Sequence, residues 1–378
     1  MIERCEMNIE KFISLSYKNE MSNFSPNDLD SFFIWAVEND ISDITLQNEE
    51  KIFCEQYGRK HKVTKRKLNR SELIGIIHKI HSEGAVSKLN SGDEIDFAFV
   101  LKKDREISYR FRVNMKSIHT SGERGYSLAF RIIKNNPPSI DSLALPQDML
   151  DTFKSRSGLI LVTGPTGSGK STLLASVLDW RLQDPTSHIK VSTYENPIEF
   201  VYDETVKPTS SISQMEVGLN IKTFADGVRN SLRTRSDVIL IGEARDYETI
   251  SATINGVMTG PLVYSTCHTG NASEVIARLI NTFPENERKA RMVDLITNFK
   301  MIVTQKLIPS LDGKRVAIRE YLIFTKEIVD ILLETEIEKI TQVMRKVVSE
   351  YGQLFIEDLI LKYNQGYISE ETLESYRV

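Results

Sequence analysis

Residues 158–183, GLILVTGPTGSGKSTLLASVLDWRLQ, constrain this chain more than any other stretch. They read as a buried strand, a glycine-rich loop and a helix, in that order. Gly164, Pro165, Thr166, Gly167, Ser168, Gly169, Lys170 and Ser171 fit G-x-x-x-x-G-K-[ST], with Thr172 following in the helix. The glycines let backbone N–H groups turn inward and approach a phosphate closely. The helix N-terminus adds partial positive charge at the same point. Lys170 is spaced to reach β- and γ-phosphates, and Ser171 to hold Mg²⁺ through its hydroxyl. An accidental glycine turn is the competing reading. The apolar run directly before the loop and the helical pattern directly after it argue against that.

The chain around this stretch divides in two. Residues 135–139 (NNPPS) form a stiff linker, because proline fixes φ and removes a backbone donor. The expected division is a loosely held polar N-terminus over 1–25, a small α+β domain over 26–134, a linker over 135–140, and an α/β domain over 141–378. In the first domain, helices are predicted over 28–38 and 72–82, and strands over 41–46, 51–57, 95–101, 107–114 and 126–133. The strand 107–114 puts Tyr109, Phe111 and Val113 on one face and Arg110, Arg112 and Asn114 on the other. Arg124 falls in a predicted loop over 121–125, and Arg131 on the next strand. The basic run 58–70 (GRKHKVTKRKLNR) reads as a solvated hairpin, with acidic headgroups or an acidic partner as the alternative.

Beyond the glycine-rich loop, strands at 189–194, 238–241 and 262–266 alternate with helices at 223–234, 246–258 and 271–281. A polar loop is expected over 209–218, a hairpin over 314–324, and mostly helix from 327 onward. Strand–helix alternation predicts a mainly parallel sheet with ligands at the strands' carboxyl ends. Three of those ends carry polar groups: YENPIE at 194–199, IGEARD at 241–246 and TCHT at 266–269. Hydrolysis of ATP needs a metal on the phosphates, a carboxylate to orient or deprotonate water, and a group that senses the γ-phosphate. Glu243, at the tip of an all-apolar strand, is the candidate base. Glu195 and Glu199 flank a proline turn and are candidates for the Mg²⁺ shell or the water. His268 is the candidate γ-phosphate sensor. Arg229 and Arg233 lie at i, i+4 on one helix face, with Arg235 just beyond, and read equally well as a solvated face or as arginines near a phosphate site.

Composition closes off several classes. The formal net charge is −4, so no global basic excess points to nucleic acid. Three cysteines, Cys5, Cys54 and Cys267, are far apart and make neither a disulfide framework nor a zinc site, which fits a reducing, cytosolic compartment. No apolar run approaches the ~20 residues needed to span a bilayer, and the N-terminus lacks a signal peptide's apolar core.

Four motifs, in this order, resemble those of the secretion ATPase superfamily, which powers type II and type IV secretion, pilus assembly and pilus retraction. GPTGSGKST at 164–172 resembles its Walker A, TYENPIEF at 193–200 its Asp box, SDVILIGEARD at 236–246 its Walker B and STCHTG at 265–270 its His box. The resemblance runs from about residue 28 to 367. It departs at Asn196, where the family has Asp, and at 233–237 (RTRSD), where the family has Arg-x-Asp-Pro-Asp. The compact length and the missing tetracysteine module place the chain nearer the retraction branch. It looks most like the cytoplasmic ATPase of type IVB systems, the Dot/Icm apparatus and IncI-type conjugation.

That resemblance implies a RecA-like ATPase domain and a PAS-like N-terminal domain. Lys170 and Ser171 then bind phosphate and Mg²⁺, Glu243 is catalytic, Glu195, Glu199 and His268 belong to their boxes, and Arg110, Arg112, Arg124 and Arg131 are the candidate nucleotide arginines of the N-terminal domain. It also implies a cytoplasmic homohexamer using ATP and Mg²⁺ to drive a secretion or conjugation machine, held at the inner membrane through partners and docking on another cytoplasmic component. A nucleotide-gated docking scaffold with little hydrolysis and a pilus-retraction motor are the alternatives. Direct contact with nucleic acid is not expected, since no aromatic-studded basic groove is evident.

Overall fold

The computed structural model describes residues 15–20, 23–103, 108–120, 122–133 and 136–377. The chain separates into two compact units, residues 1–135 and 136–378.

The first unit packs helix α1 (Asp28–Glu38) on a six-stranded antiparallel sheet. Leu29, Phe32, Phe33 and Ala36 recur at i, i+3, i+4 and i+7, so one face of α1 is apolar and fully buried. The strands are β1 (Ile41–Gln47), β2 (Phe53–Gln56), β3 (Arg59–Lys62), β4 (Ile95–Lys102), β5 (Ser108–Thr120) and β6 (Glu123–Ile133), in the order β3-β2-β1-β6-β5-β4. Phe33 stacks on Phe111 of β5 with ring centroids 4.4 Å apart and meets Phe130 of β6 at 4.9 Å. Truncating such a buried ring costs about 3–5 kcal/mol, so Phe33 anchors helix to sheet. Helices α2 (Arg70–Ile80) and α3 (Gly84–Asn90) complete the unit. Strand β3, RKHK, is one edge of the sheet, and cations on an edge strand discourage pairing with another chain.

Two findings here differ from expectation in the described residues. Where the N-terminal stretch is described it is packed: Tyr17 and Phe24 are buried in the core, and the Phe24 amide donates to the buried Glu72 carboxylate, which also ion-pairs with Arg66 at 2.6 Å. Residues 1–14, 21 and 22 lie outside the described residues. Arg124 sits on β6, opposite His119 of β5, because β5 runs on to Thr120 and β6 begins at Glu123, further than polar composition suggests.

The second unit is built on a seven-stranded sheet. Its strands are β7 (Gly158–Thr163), β8 (Lys190–Glu195), β9 (Ser211–Glu216), β10 (Val238–Ile241), β11 (Leu262–Cys267), β12 (Phe299–Pro309) and β13 (Arg315–Ile323). Their order is β13-β12-β7-β11-β10-β8-β9, parallel throughout except for the β12–β13 hairpin. Leu159 and Leu161 of β7 join one core, Ile160 and Val162 the other, and β10 divides its residues the same way. Strands covered on both faces read as continuous apolar runs, which is why these two were legible.

Helices α4 (Gln147–Phe153), α5 (Lys170–Gln183), α6 (Phe224–Thr234), α7 (Tyr247–Met258), α8 (Val275–Ile280) and α9 (Glu285–Asn298) flank the sheet. Helices α10 (Lys326–Leu333), α11 (Ile340–Tyr351), α12 (Phe355–Asn364) and α13 (Glu370–Tyr376) form the helical tail. The segment expected as a polar loop over 209–218 contains strand β9, SISQME, an edge strand on which Ser211 and Ser213 are exposed while Gln214 and Glu216 are half-buried. Strand β12 escaped the sequence reading altogether, since Lys300, Gln305 and Lys306 interrupt its apolar pattern. Among the described residues, no helix is long and apolar enough to cross a membrane.

Candidate functional site

The parallel order sets the site. Strands β7, β11, β10 and β8 lie side by side, so their carboxyl ends bring the glycine-rich loop, His268, Glu243 and Glu195 to one edge of the sheet. Pro165, Thr166 and Gly167 are the exposed apex of the loop, and Ser168 and Lys170 are buried at its base. Gly169 caps α5 with φ +82°. Ser171 and Thr172 occupy the first helical turn, half-buried.

Lys170 folds back over the loop, its ammonium donating to the carbonyls of Gly164 (2.9 Å) and Pro165 (3.0 Å). Burial lowers its pKa, while the charges of Glu243 and Glu199 oppose that shift. The Ser168 hydroxyl is buried with no hydrogen-bond partner. An orphaned buried hydroxyl at the base of a glycine-rich loop that leads into a helix N-terminus fits an anion such as phosphate.

The acidic groups separate into two kinds. Glu243 is half-exposed beyond the tip of β10, and its Oε1 lies 3.5 Å from Nε2 of His268. Glu199 is exposed. Glu195 is buried at the end of β8: burial pushes its carboxyl up to about 7, against hydrogen bonds from the Thr193 hydroxyl (2.7 Å), the Glu199 amide and Gln214. Those bonds tie Glu195 to the turn that presents Glu199. Among the described residues, no group of three or more His, Cys, Asp or Glu could hold a metal ion. A Mg²⁺ here would rest on Ser171, phosphate oxygens and water, the usual preference of that ion.

Sequence reasoning missed three residues behind the loop. Gln305 of β12 donates its side-chain amide to the Ser168 carbonyl at 2.6 Å, and Arg319 of β13 donates to Gln305 at 2.8 Å. Arg315 joins Gly169, Thr172, Leu143, Leu307 and Arg319 around a cavity of about 200 Å³ beside the start of α5. All three lie on the β12–β13 hairpin, and the pairing of β12 with β7 brings that hairpin against the loop.

The four candidate arginines of the first unit are largely engaged within it. Arg112 pairs with Asp96 (2.7 Å), Arg131 with Asp43 (2.9 Å), and Arg124 donates to the Asn90 carbonyl (2.6 Å). Arg110 differs, since its Nε is buried without a partner. On α6, Arg229 pairs with Asp226 (2.6 Å), and Arg233 and Arg235 are exposed.

An α/β sheet, parallel but for one hairpin strand, with a G-x-x-x-x-G-K-S loop after β7 and an acid–histidine pair after the adjacent strands β10 and β11 defines a protein of the P-loop class. The family model for type II/IV secretion system proteins matches residues 26–341, and the chain belongs to that family. This bears out the resemblance read from the four motifs. The X-ray structure of the Legionella pneumophila ATPase DotB is 40% identical, covering 95% of this chain and 97% of that one, with a TM-score of 0.88. A crystal structure of the pilus retraction motor PilT with bound ADP is 31% identical, covering 92% and 96%, with a TM-score of 0.76. The type IV pilus retraction ATPase PilT of Pseudomonas aeruginosa is 32% identical over 308 residues, 80% of this chain and 85% of the relative. The fold class is thus the expected one, an α/β ATPase fold with a smaller N-terminal domain.

Proposed function

We propose that this chain is the ATPase subunit of a type IVB-like secretion or conjugation machine. The observation that carries the reading is Lys170, buried in the glycine-rich loop with its ammonium on the Gly164 and Pro165 carbonyls, beside a buried Ser168 hydroxyl that has no partner. ATP is the substrate, and water is the nucleophile that converts it to ADP and phosphate.

In this reading the Lys170 ammonium turns from the Gly164 and Pro165 carbonyls to phosphate oxygens, and the Ser168 hydroxyl gains an acceptor. Ser171 would hold a Mg²⁺ ion, which would supply charge neutralisation on the phosphates. Glu243 orients and deprotonates the attacking water. His268, 3.5 Å away, registers the state of the γ-phosphate through that carboxylate. Glu195 keeps the turn that carries Glu199. The cavity beside α5, with Leu143, Leu307 and Arg315 in its wall, suits the nucleoside end of the substrate. Arg110, Arg112, Arg124 and Arg131 enter as the nucleotide arginines the resemblance implies. The division into a PAS-like domain over 26–134 and a RecA-like domain over 141–378 belongs to the same proposal.

The type IVB assignment is supported by 40% identity to DotB over 95% of the chain. It carries with it a homohexamer, cytoplasmic and attached to the inner membrane through other components. Pilus retraction is the second reading, favoured by the PilT relatives. Expressing the chain in a strain lacking its own retraction ATPase separates the two: restored retraction supports the second reading, and no restoration the first.

The activity is tested by ATP turnover with Mg²⁺. Lys170→Ala and Glu243→Gln should each lower it by about 10²–10³, the usual cost of one well-placed catalytic group. Turnover equal to the parent's in both would remove the mechanism. Normal transport in cells by a hydrolysis-dead Glu243→Gln chain would favour a nucleotide-gated scaffold.

A further inference from the structure

Behind the phosphate loop runs a chain of buried polar groups that the nucleotide reading does not use. Thr304 on β12 pairs in register with Thr163 on β7, and their hydroxyls bond at 2.8 Å. Gln305 therefore follows directly behind the loop, and the loop is moulded around it. A Cβ on Gly164 would lie 2.3 Å from the Gln305 carbonyl oxygen, and one on Gly169 2.8 Å from its side-chain nitrogen. That nitrogen donates to the Ser168 carbonyl, and the side-chain oxygen accepts from Nε of Arg319.

Arg319 continues the chain. Its guanidinium donates to the Leu143 carbonyl at 3.1 Å, and its backbone N–H donates to Asp358 of α12 at 2.8 Å. Gln353 donates to the Arg319 carbonyl at 3.2 Å, and Lys362 lies 3.8 Å from Asp358. Gln305, Arg319, Asp358 and Lys362 are each no more than 5% exposed. In a buried network every member depends on the others, because a polar group that loses its partner has no water to turn to.

We propose that Gln305 is a positioning residue for the phosphate loop and that, through Arg319 and Asp358, it couples nucleotide in the loop to the C-terminal helices. When phosphate draws the loop amides inward, the Ser168 carbonyl moves with its peptide. The Gln305 amide, bonded to that carbonyl at 2.6 Å, follows it. Arg319 then shifts against Asp358, so α12 senses the occupied loop. The device rests on the reading of the loop as an ATP site. Through it, hydrolysis at one edge of the sheet alters a surface at the end of the chain, where Ile360, Leu361 and Tyr363 are exposed.

The test is hydrogen exchange on the full chain with and without Mg²⁺ and ADP, alongside steady-state ATP kinetics. In the parent, nucleotide should slow exchange at the loop and also across residues 355–364. Gln305→Met keeps volume and removes both hydrogen bonds. Gln305→Glu keeps the acceptor for Arg319 and sets a carboxylate oxygen where the donor to Ser168 was, a second variant in case the first does not fold. Either folded variant should retain protection at the loop, lose it at 355–364, and raise KM for ATP about tenfold while kcat changes less than about threefold. A merely structural glutamine would leave nucleotide-dependent protection at 355–364 intact, and that result overturns the proposal. So does a parent protected at the loop alone. A parent protected nowhere removes the ATP site itself, and the coupling with it.

Discussion

Nε2 of His268 lies 3.5 Å from Oε1 of Glu243, and the two side chains remain 43% and 35% exposed. A pair this open adds at most about 1 kcal/mol to stability. Its position at the ends of two adjacent parallel strands is therefore better explained by chemistry than by folding. Glu243→Gln should leave the unfolding midpoint nearly unchanged while ATP turnover falls by about 10²–10³. Chemical denaturation and phosphate release on the same preparation check this. A large loss of stability with turnover preserved would reverse the assignment.

Glu195 makes a prediction about pH. Its carboxyl stands at about 7 in the folded chain against an ordinary 4.5, because burial disfavours its charge. Between those values the folded state holds the proton more firmly than the unfolded state does. Stability is thus highest below about 4.5 on this account, falls as pH rises toward 7, and then levels off. The shift corresponds to about 3 kcal/mol. Glu195→Gln removes the penalty, so urea unfolding should show the variant more stable at pH 8, with its advantage vanishing toward pH 4.5. Parallel pH profiles would contradict the burial argument.

Two glycines of the loop should respond differently to alanine. Gly164 has φ +140°, and an added Cβ meets the Gln305 carbonyl oxygen at 2.3 Å; Gly167 has φ +77° and open space. Gly167→Ala should cost only the left-handed backbone, about 1–2 kcal/mol. Gly164→Ala adds overpacking against main chain, about 1–3 kcal/mol more. Unfolding midpoints of the two variants rank them, and equal losses would show that Gln305 yields.

Tyr264 tests the core beneath the site. Its hydroxyl donates to the Phe153 carbonyl and accepts from Arg181 at 2.8 Å, all buried. Tyr264→Phe strips a partner from a buried guanidinium and should cost about 1.5–3 kcal/mol, with ATP turnover per folded molecule unchanged. A fall in turnover without a fall in stability would place Tyr264 nearer the chemistry than this account does.

What could be read from residues alone follows from how local each signal is. The phosphate loop, the apolar strand before Glu243 and the strand before His268 are contiguous, so motif and periodicity coincide there. Strand β9 was not legible because SISQME is polar enough for a loop, and it pairs only because β8 offers an open edge. Gln305 and Arg319 were not legible because a polar residue inside a strand reads as solvent-facing. Gln305 is 137 residues from its acceptor Ser168. The packed Tyr17 and Phe24 were hidden for a related reason, since single aromatics in a polar stretch carry no period.

The central claim is that Lys170 grips a triphosphate whose cleavage drives the machine. Phosphate release by the purified full chain, with ATP and Mg²⁺, measures it directly against Lys170→Ala. The account predicts sustained turnover in the parent and a loss of at least about a hundredfold in the variant. Equal rates in the two proteins, or no ATP binding by the parent at any assembly state, would contradict it.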